Sequence, residues 1–553
     1  MVKDKEYMKN LIEENLLAFV GTRSDTNSKE EHNVEKFFEN YFSKLDYFKK
    51  HPEYCGLFDI PGDYLDRKIP WCLLKGKGDD TIVFIHHHDV VETKDYGILE
   101  YLSLKPYELM EAFKQNKMEL PKQAYDDLMS DKWLFGRGCS DMKGGGSIQL
   151  SLIEEYSKEE DFNGNIVLIS VPDEENLSAG MRGATYLLKD LKEKYNLNYI
   201  LMLNSEPHER GNDLKPTIYD GSIGKIMPVV YVRGKLAHVG QIYLGLNPIN
   251  LLSEIIRRTE LNPNFIEKVG TTTNPPPTWL YHKDRKQVYD VSLPIASTGY
   301  MSILPLKRSP MSIMDELKEI CNSAFIQVID DMNESYKTYN KIAGTEYDKL
   351  PWEASVKFYS ELYEEALRDS GNEFEIAYSN LMADIKDKFN SNKISTIDAS
   401  NAIIEKTLEF VRDKNPCVIL AIAPPYYPST NNSLLGEKSE KINETIKKLK
   451  LYAKENFNEE YTVQNYFTGI SDLSYAMFVS DQEDIDYISN NMLMWNDIYY
   501  IPLEIIKELS MPVINVGPFG RDLHKYTERV WKEDLFYKTP QLIDLVVRNM
   551  LNN

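Results

Sequence analysis

Hydrophobic positions along this chain follow two rhythms. Some form short unbroken runs: 81–85 (TIVFI), 165–171 (NIVLISV), 198–203 (NYILML), 511–516 (MPVINV) and the shorter 70–74. Runs of this length, bounded by polar residues, predict strands buried on both faces. Others recur every three or four residues and predict amphipathic helices over 3–20, 28–44 and about 146–156. Ser28 is placed to cap the second, with Glu31 three residues later. Residues 93–130 are polar and irregular and predict a surface excursion with a helix. Strands alternating with helices predict an α/β fold around a mainly parallel sheet with flanking helices.

Between about 220 and 430 the rhythm changes. Residues 224–234, 296–308 and 416–425 predict strands, and 247–260 a helix. Residues 309–341 predict a long helix capped by Ser309. Residues 350–413 are charged and mostly helical. The pattern resumes afterwards, so 221–430 is expected as an α+β domain inserted between a first catalytic part, 1–220, and a second, 431–553. No sequence repeat is visible.

Length supports this division, because 553 residues exceed one ordinary core. A net charge of −22 disfavours nucleic acid and anionic membranes as partners. The N-terminal segment is charged and lacks the apolar centre of a signal peptide. No run approaches a membrane span. The five cysteines are scattered, without a CxxC pair, so no disulfide framework or structural zinc site is expected. A cytoplasmic protein is the expectation.

The chemistry lies where the runs end. Residues 81–85 lead into His86, His87, His88 and Asp89. If extended geometry persists, His87 and Asp89 share a side. One imidazole nitrogen then binds an ion while the carboxylate orients the ring. His86 and His88 are not expected as ligands. Asp141 follows two glycines, Gly136 and Gly138, ahead of three more. That segment lacks the GxxxxGK[ST] spacing of a phosphate loop. Asp173, Glu174 and Glu175 close another run, Glu206 a third, and His524 the last. Open α/β sheets gather sites at such carboxyl ends. Two imidazoles with several carboxylates suit zinc, with cobalt or manganese as substitutes. Two such ions need a bridging ligand. Asp141 is the natural bridge, His87 and Glu206 complete one set, and Glu175 and His524 the other. Glu174 is left as general base. Lys143 and Arg137 read as braces. Arg233 and Arg521 fit either a substrate carboxylate or ordinary surface pairing.

These segments also resemble a known family. HHHDVV at 86–91 is similar to the GHxDVVP signature of the ArgE/DapE family of dinuclear zinc amidohydrolases, which includes aminoacylases, carboxypeptidase G, desuccinylases and bacterial dipeptidases. GRGCSDMKGG (136–145) resembles its bridging-aspartate motif. PDEEN (172–176), with Gly180 after it, resembles the paired-glutamate motif, and SEP (205–207) the next ligand motif. GISDLSY (469–475) and GPFGRDLHKYTE (517–528) resemble its later turns. GKLAHVGQIYLGLNP (234–248) resembles the lid motif. KRSPMSIMDELKE (307–319) and LAIAPPYYPS (420–429) look like the RocB-like, arginine-utilisation branch.

The resemblance implies a zinc-peptidase catalytic domain with an inserted, dimerisation-type lid, here enlarged by helices. It implies two zinc ions, a small-molecule substrate and a homodimer through the lid. His238 is the residue it implies at the substrate oxyanion, often from the partner subunit. His86 and Glu92 depart from the signature, and the insertion at 330–413 has no counterpart in a compact lid. The expected reaction is hydrolysis of an amide bond in an N-acyl amino acid or small peptide, with a metal-bridging water and a glutamate general base. A binding or regulatory protein that keeps the fold, or a two-metal phosphoesterase, is the alternative. Loss of Glu174 or a ligand would mark the former, and none is missing.

Overall fold

A computed structural model describes residues 4–210, 215–286, 288 and 290–552. The expected helix at 3–20 runs over Lys5–Val20, capped by the Asp4 side chain; residue 3 lies outside the described residues. The predicted unbroken runs lie at the centre of an eight-stranded sheet. Its order is Cys55–Asp59, Lys68–Lys75, Asn163–Val171, Lys77–His87, Asn198–Asn204, Val513–Asn515, Thr217–Tyr219 and Thr462–Gln464. The middle four strands run parallel.

Alternation along one strand explains why the run is unbroken. Ile82 and Phe84 join one buried cluster, with Phe19, Phe38, Ile148 and Val546. Val83 and Ile85 join another, with Leu187, Leu188 and Met202. Successive side chains point to opposite faces, and both faces are covered by helices, so every position is apolar.

Residues 93–130 hold more helix than expected: a short turn, then Pro106–Lys114 and Lys122–Met129. The helix expected from about 146 begins at Lys143, so the three glycines form its first turn.

A second, five-stranded sheet comprises Thr278–Asp284, Ala296–Ser302, Lys225–Arg233, Cys417–Tyr427 and Val356–Phe358. It is antiparallel except for the last pairing. The chain enters and leaves this unit side by side, because Gly221–Ser222 pairs with Thr430–Asn431. Val230 and Val232 face the helices Pro248–Thr259 and Pro310–Ala343. Val229 and Tyr231 face the helices Tyr359–Ser370, Asn372–Asn390 and Thr396–Glu409. The helical segment thus covers the second face of this sheet. Residue 330 does not mark a junction, since Pro310–Ala343 is one helix of 34 residues.

Gly145 ties the first helical turn to the sheet. A Cβ there would stand 2.1 Å from the Ser205 carbonyl oxygen. Gly145→Ala should therefore destabilise the fold by about 1–3 kcal/mol through overpacking, exceeding the ~1 kcal/mol that alanine gains in helix propensity. Chemical denaturation checks this, and a variant as stable as the parent would show that the contact relaxes freely.

Candidate metal centre

Five segments bring six of the expected residues to one place. His87 ends the Lys77–His87 strand, and Glu206 follows Asn198–Asn204. Glu174 and Glu175 lie between Asn163–Val171 and the helix Ala179–Tyr195. His524 lies in the turn between Gly520–Arg521 and Arg529–Trp531. Asp141 arrives differently from the others. The strand before it, Trp133–Phe135, belongs to a separate three-stranded sheet, and Asp141 sits just ahead of the glycine-rich helix.

Asp141 stands at the middle. His87 Nε2 lies 3.0 Å from its Oδ1, and His524 Nε2 lies 3.2 Å from its Oδ2. His87 Nε2 is also 3.6 Å from Glu206 and 4.0 Å from Glu174. His524 Nε2 is 3.0 Å from Glu175. Two sets of donor atoms cluster within 4.8 Å, His87–Asp141–Glu206 and Asp141–Glu175–His524. His87, Glu174 and Glu175 form a third such group.

Backbone contacts fix these segments. Glu528 accepts from the Ser140 and Asp141 N–H groups at 3.1 and 3.2 Å, and Arg137 pairs with Glu528 at 2.9 Å. Lys143 donates to the Thr22 carbonyl at 2.6 Å, and burial brings its ammonium down to about 7. Asp89 accepts from the N–H groups of Glu174 and Glu175 at 3.0 and 3.1 Å. His87 Nδ1 makes its shorter contact, 3.0 Å, with the Asp89 carbonyl, and the carboxylate stands 3.5 Å away. Asp89 therefore orients His87 mainly through its backbone and holds the glutamate loop with its side chain.

The other candidates lie elsewhere. His86 bonds Gln149 and packs on Phe38, and burial pushes it down to about 4. His88 bonds Ser170. His238 is on the exposed lid surface. Its Nδ1 accepts from Gly240 N–H at 3.1 Å, and its backbone bridges to Ser292. Arg233 donates to the Asn415 carbonyl. Arg521 pairs with Asp127 and lies over Trp133.

One buried carboxylate was absent from the expected set. Asp472 is 1% exposed, neither of its oxygens has a hydrogen-bond partner among the described residues, and burial pushes it up to about 7. The GISDLSY motif was its signal in the sequence. Glu528 was likewise visible only as the last residue of a motif.

The charge balance favours cations. Asp141, Glu174, Glu175 and Glu206 converge, with two imidazoles among them. Burial holds Glu174 and Glu206 well above the usual carboxylate range, and burial with Asp141 nearby raises Glu175. Burial alone would lower His87, but Glu206, Asp141, Asp89 and Glu174 hold it well above its ordinary value. Hydrogen bonds to Asp141 and Glu175 raise His524 to about 10. Mixed imidazole and carboxylate donors on a shared aspartate fit two divalent ions.

Peptidase family M20/M25/M40 matches residues 120–539. The protein YqjN of Bacillus subtilis is 31% identical over 540 residues, covering 97% of this chain and 95% of that protein. Protein RocB of Bacillus subtilis is 29% identical over 525 residues, covering 94% and 91%. The crystal structure of aminopeptidase PepT from Bacillus cereus superposes with a TM-score of 0.54 at 13% identity, over 98% of both chains.

The raised groups make ion binding pH-dependent. Three of the donors, His87, His524 and Glu206, hold protons above their ordinary values, and ions bound there would displace them. Apparent affinity for zinc or cobalt should thus rise with pH between about 6 and 8, and binding at pH 7 should release protons. Calorimetry in buffers of different ionisation enthalpy measures the release. Affinity independent of pH across that range would contradict the protonated, ion-free centre.

Proposed function

Since the chain belongs to peptidase family M20/M25/M40, we propose that it is a metal-dependent hydrolase that cleaves an amide bond of an N-acyl amino acid or small peptide. The observation that carries this reading is Asp141, whose two oxygens each face a different histidine. In it, Asp141 is shared by two divalent ions, zinc first, with cobalt or manganese as substitutes. His87 and Glu206 complete one set, and Glu175 and His524 the other. Bound ions would supply an acidified water and polarise the scissile carbonyl.

The rest is work for the chain's own residues. Glu174 shares the cluster with His87 and Glu175 but has no place in the two sets around Asp141. It takes the proton of the attacking water and passes it to the leaving amine. Asp89 holds Glu174 and Glu175 by their backbone N–H groups. The RocB-like motifs support a place in arginine or amino-acid catabolism. Activity on N-acyl amino acids and dipeptides, and none on p-nitrophenyl phosphate, separates this reading from a phosphoesterase. Ion binding without turnover on any of them would favour a binding protein.

Glu174→Gln should keep the fold and both ions but lose about 10²–10⁴ in kcat, because the isosteric amide cannot accept a proton. Glu175→Gln should lower metal content instead. Metal analysis beside kcat for both variants tests the division of labour, and the opposite pattern would reverse the two roles.

His238 enters through a second copy. Leu236, Val239, Leu244 and Val291 around it are 51–65% exposed, an apolar surface suited to a partner. The proposal is a homodimer through the lid, with His238 placed over the substrate oxyanion of the other subunit. Sedimentation at micromolar concentration should show a dimer, and His238→Ala should lower kcat without changing metal content. A monomer alone would rule out action in trans.

A further inference from the structure

Behind the Glu174–Glu175 loop lies a buried charge cluster that the reaction above does not use. Arg67 is its cation and is 2% exposed. Its Nη1 donates to Glu31 Oε1 at 2.8 Å and to Asp173 Oδ1 at 2.9 Å. Its Nε and Nη2 fork onto Asp63 at 2.9 and 2.6 Å. One guanidinium thus joins the start of the second helix, the turn before Lys68–Lys75 and the glutamate loop. A planar fork makes such contacts, whereas an ammonium does not.

Asp173 passes this hold to the loop. Its N–H donates to Glu31 Oε2 at 3.0 Å, and its Oδ2 accepts from Ala179 N–H at 3.0 Å. Its carbonyl accepts from Ser178 N–H at 2.7 Å. Its φ of 68° is left-handed, which aspartate tolerates better than most residues. Neighbouring side chains in a chain do not ordinarily converge on one point. Here Asp89 grips the two glutamates in front, and the Arg67 cluster grips the preceding residue from behind.

Arg67, Asp173 and Asn176 line a cavity of about 300 Å³ together with Lys386 and Phe389 of the inserted helices.

We propose that Arg67, with Glu31 and Asp63, is a positioning set that holds the loop so that Glu175 meets Asp141 and His524 while Glu174 stays clear of them. This deepens the hydrolase reading and rests on it for the purpose of the loop. His87 and Glu206 are carried by strands that, among the described residues, make no hydrogen bond to the side chains of the cluster. Loosening the clamp should therefore weaken one half of the centre and spare the other.

The test uses the full chain, stripped of metal and titrated with Co²⁺ by visible absorption, for wild type, Arg67→Lys and Glu31→Gln. The first equivalent should bind as in wild type. The second should bind about 10–100-fold more weakly, the scale on which loss of outer support around a metal site acts, with an altered visible spectrum. On whichever amide the wild type cleaves, kcat should fall with KM unchanged. Wild-type binding of both equivalents by folded variants would overturn the proposal, and so would equal weakening of both with a lowered Tm. If Arg67→Lys does not fold, Glu31→Gln decides. If the wild type cleaves no amide, the hydrolase reading falls, and the cobalt titration still decides the clamp.

Discussion

The constraint that the rest of the molecule answers to is the crowding of four carboxylates around two imidazoles, the buried His87 and the half-exposed His524. Burial disfavours their charged forms and like charges this close add to it, so Glu174, Glu175 and Glu206 are all pushed upward. Divalent ions relieve the repulsion, but the chain must still hold the acids before ions arrive. It does so through carboxylates that bind backbone N–H groups. Glu528 takes those of Ser140 and Asp141, Asp89 those of Glu174 and Glu175, and Glu31 that of Asp173. A backbone N–H carries partial positive charge, so this fixes a ligand segment without placing a cation next to the ligands. The two arginines involved, Arg67 and Arg137, stand one layer back and balance the holders.

Much of the fold was legible because period and burial are local signals. The run at 81–85 read as a doubly buried strand, and Phe84 and Val83 do face opposite clusters. The motifs collected His87, Asp141, Glu174, Glu175, Glu206 and His524, and the structure brings these six together. The route to Asp141 was not legible. In sequence it only follows a glycine-rich turn, whereas in the fold it arrives from a small separate sheet, held by Glu528 from nearly 400 residues further along the chain. Arg67 and Asp63 gave no signal, and Glu31 gave only that of a capping partner to Ser28. In sequence they look like surface charges, and only the tertiary fold buries them on one another.

The segment 350–413 illustrates the same limit. Its composition, helical and charged, suggested an addition to the lid. The helices do enlarge that unit, and they do so by packing Leu362, Phe374, Ile385, Ile403 and Ile404 on Val229, Tyr231 and Ile419. A half-exposed antiparallel sheet alternates apolar and polar positions. The 224–234 run does not, because helices cover both faces. The continuous apolar character of that strand was therefore itself a sign that something covers the second face, and the inserted helices are what does.

This bears on where another copy can dock. With both faces of this sheet covered, a copy meeting the sheet itself would meet its edge or the loop around His238. The outer strand Thr278–Asp284 pairs on one side only, with Ala296–Ser302, and alternates between half-buried and exposed positions. Leu280 on it is 53% exposed. An unpaired edge offers N–H and C=O groups to another strand. The strand Val356–Phe358 closes the opposite edge and is half-buried or buried throughout, under the helices that follow it. Among the described residues, covering one face and one edge with the insertion thus leaves Thr278–Asp284 as the open edge, on the sheet that also carries the His238 loop.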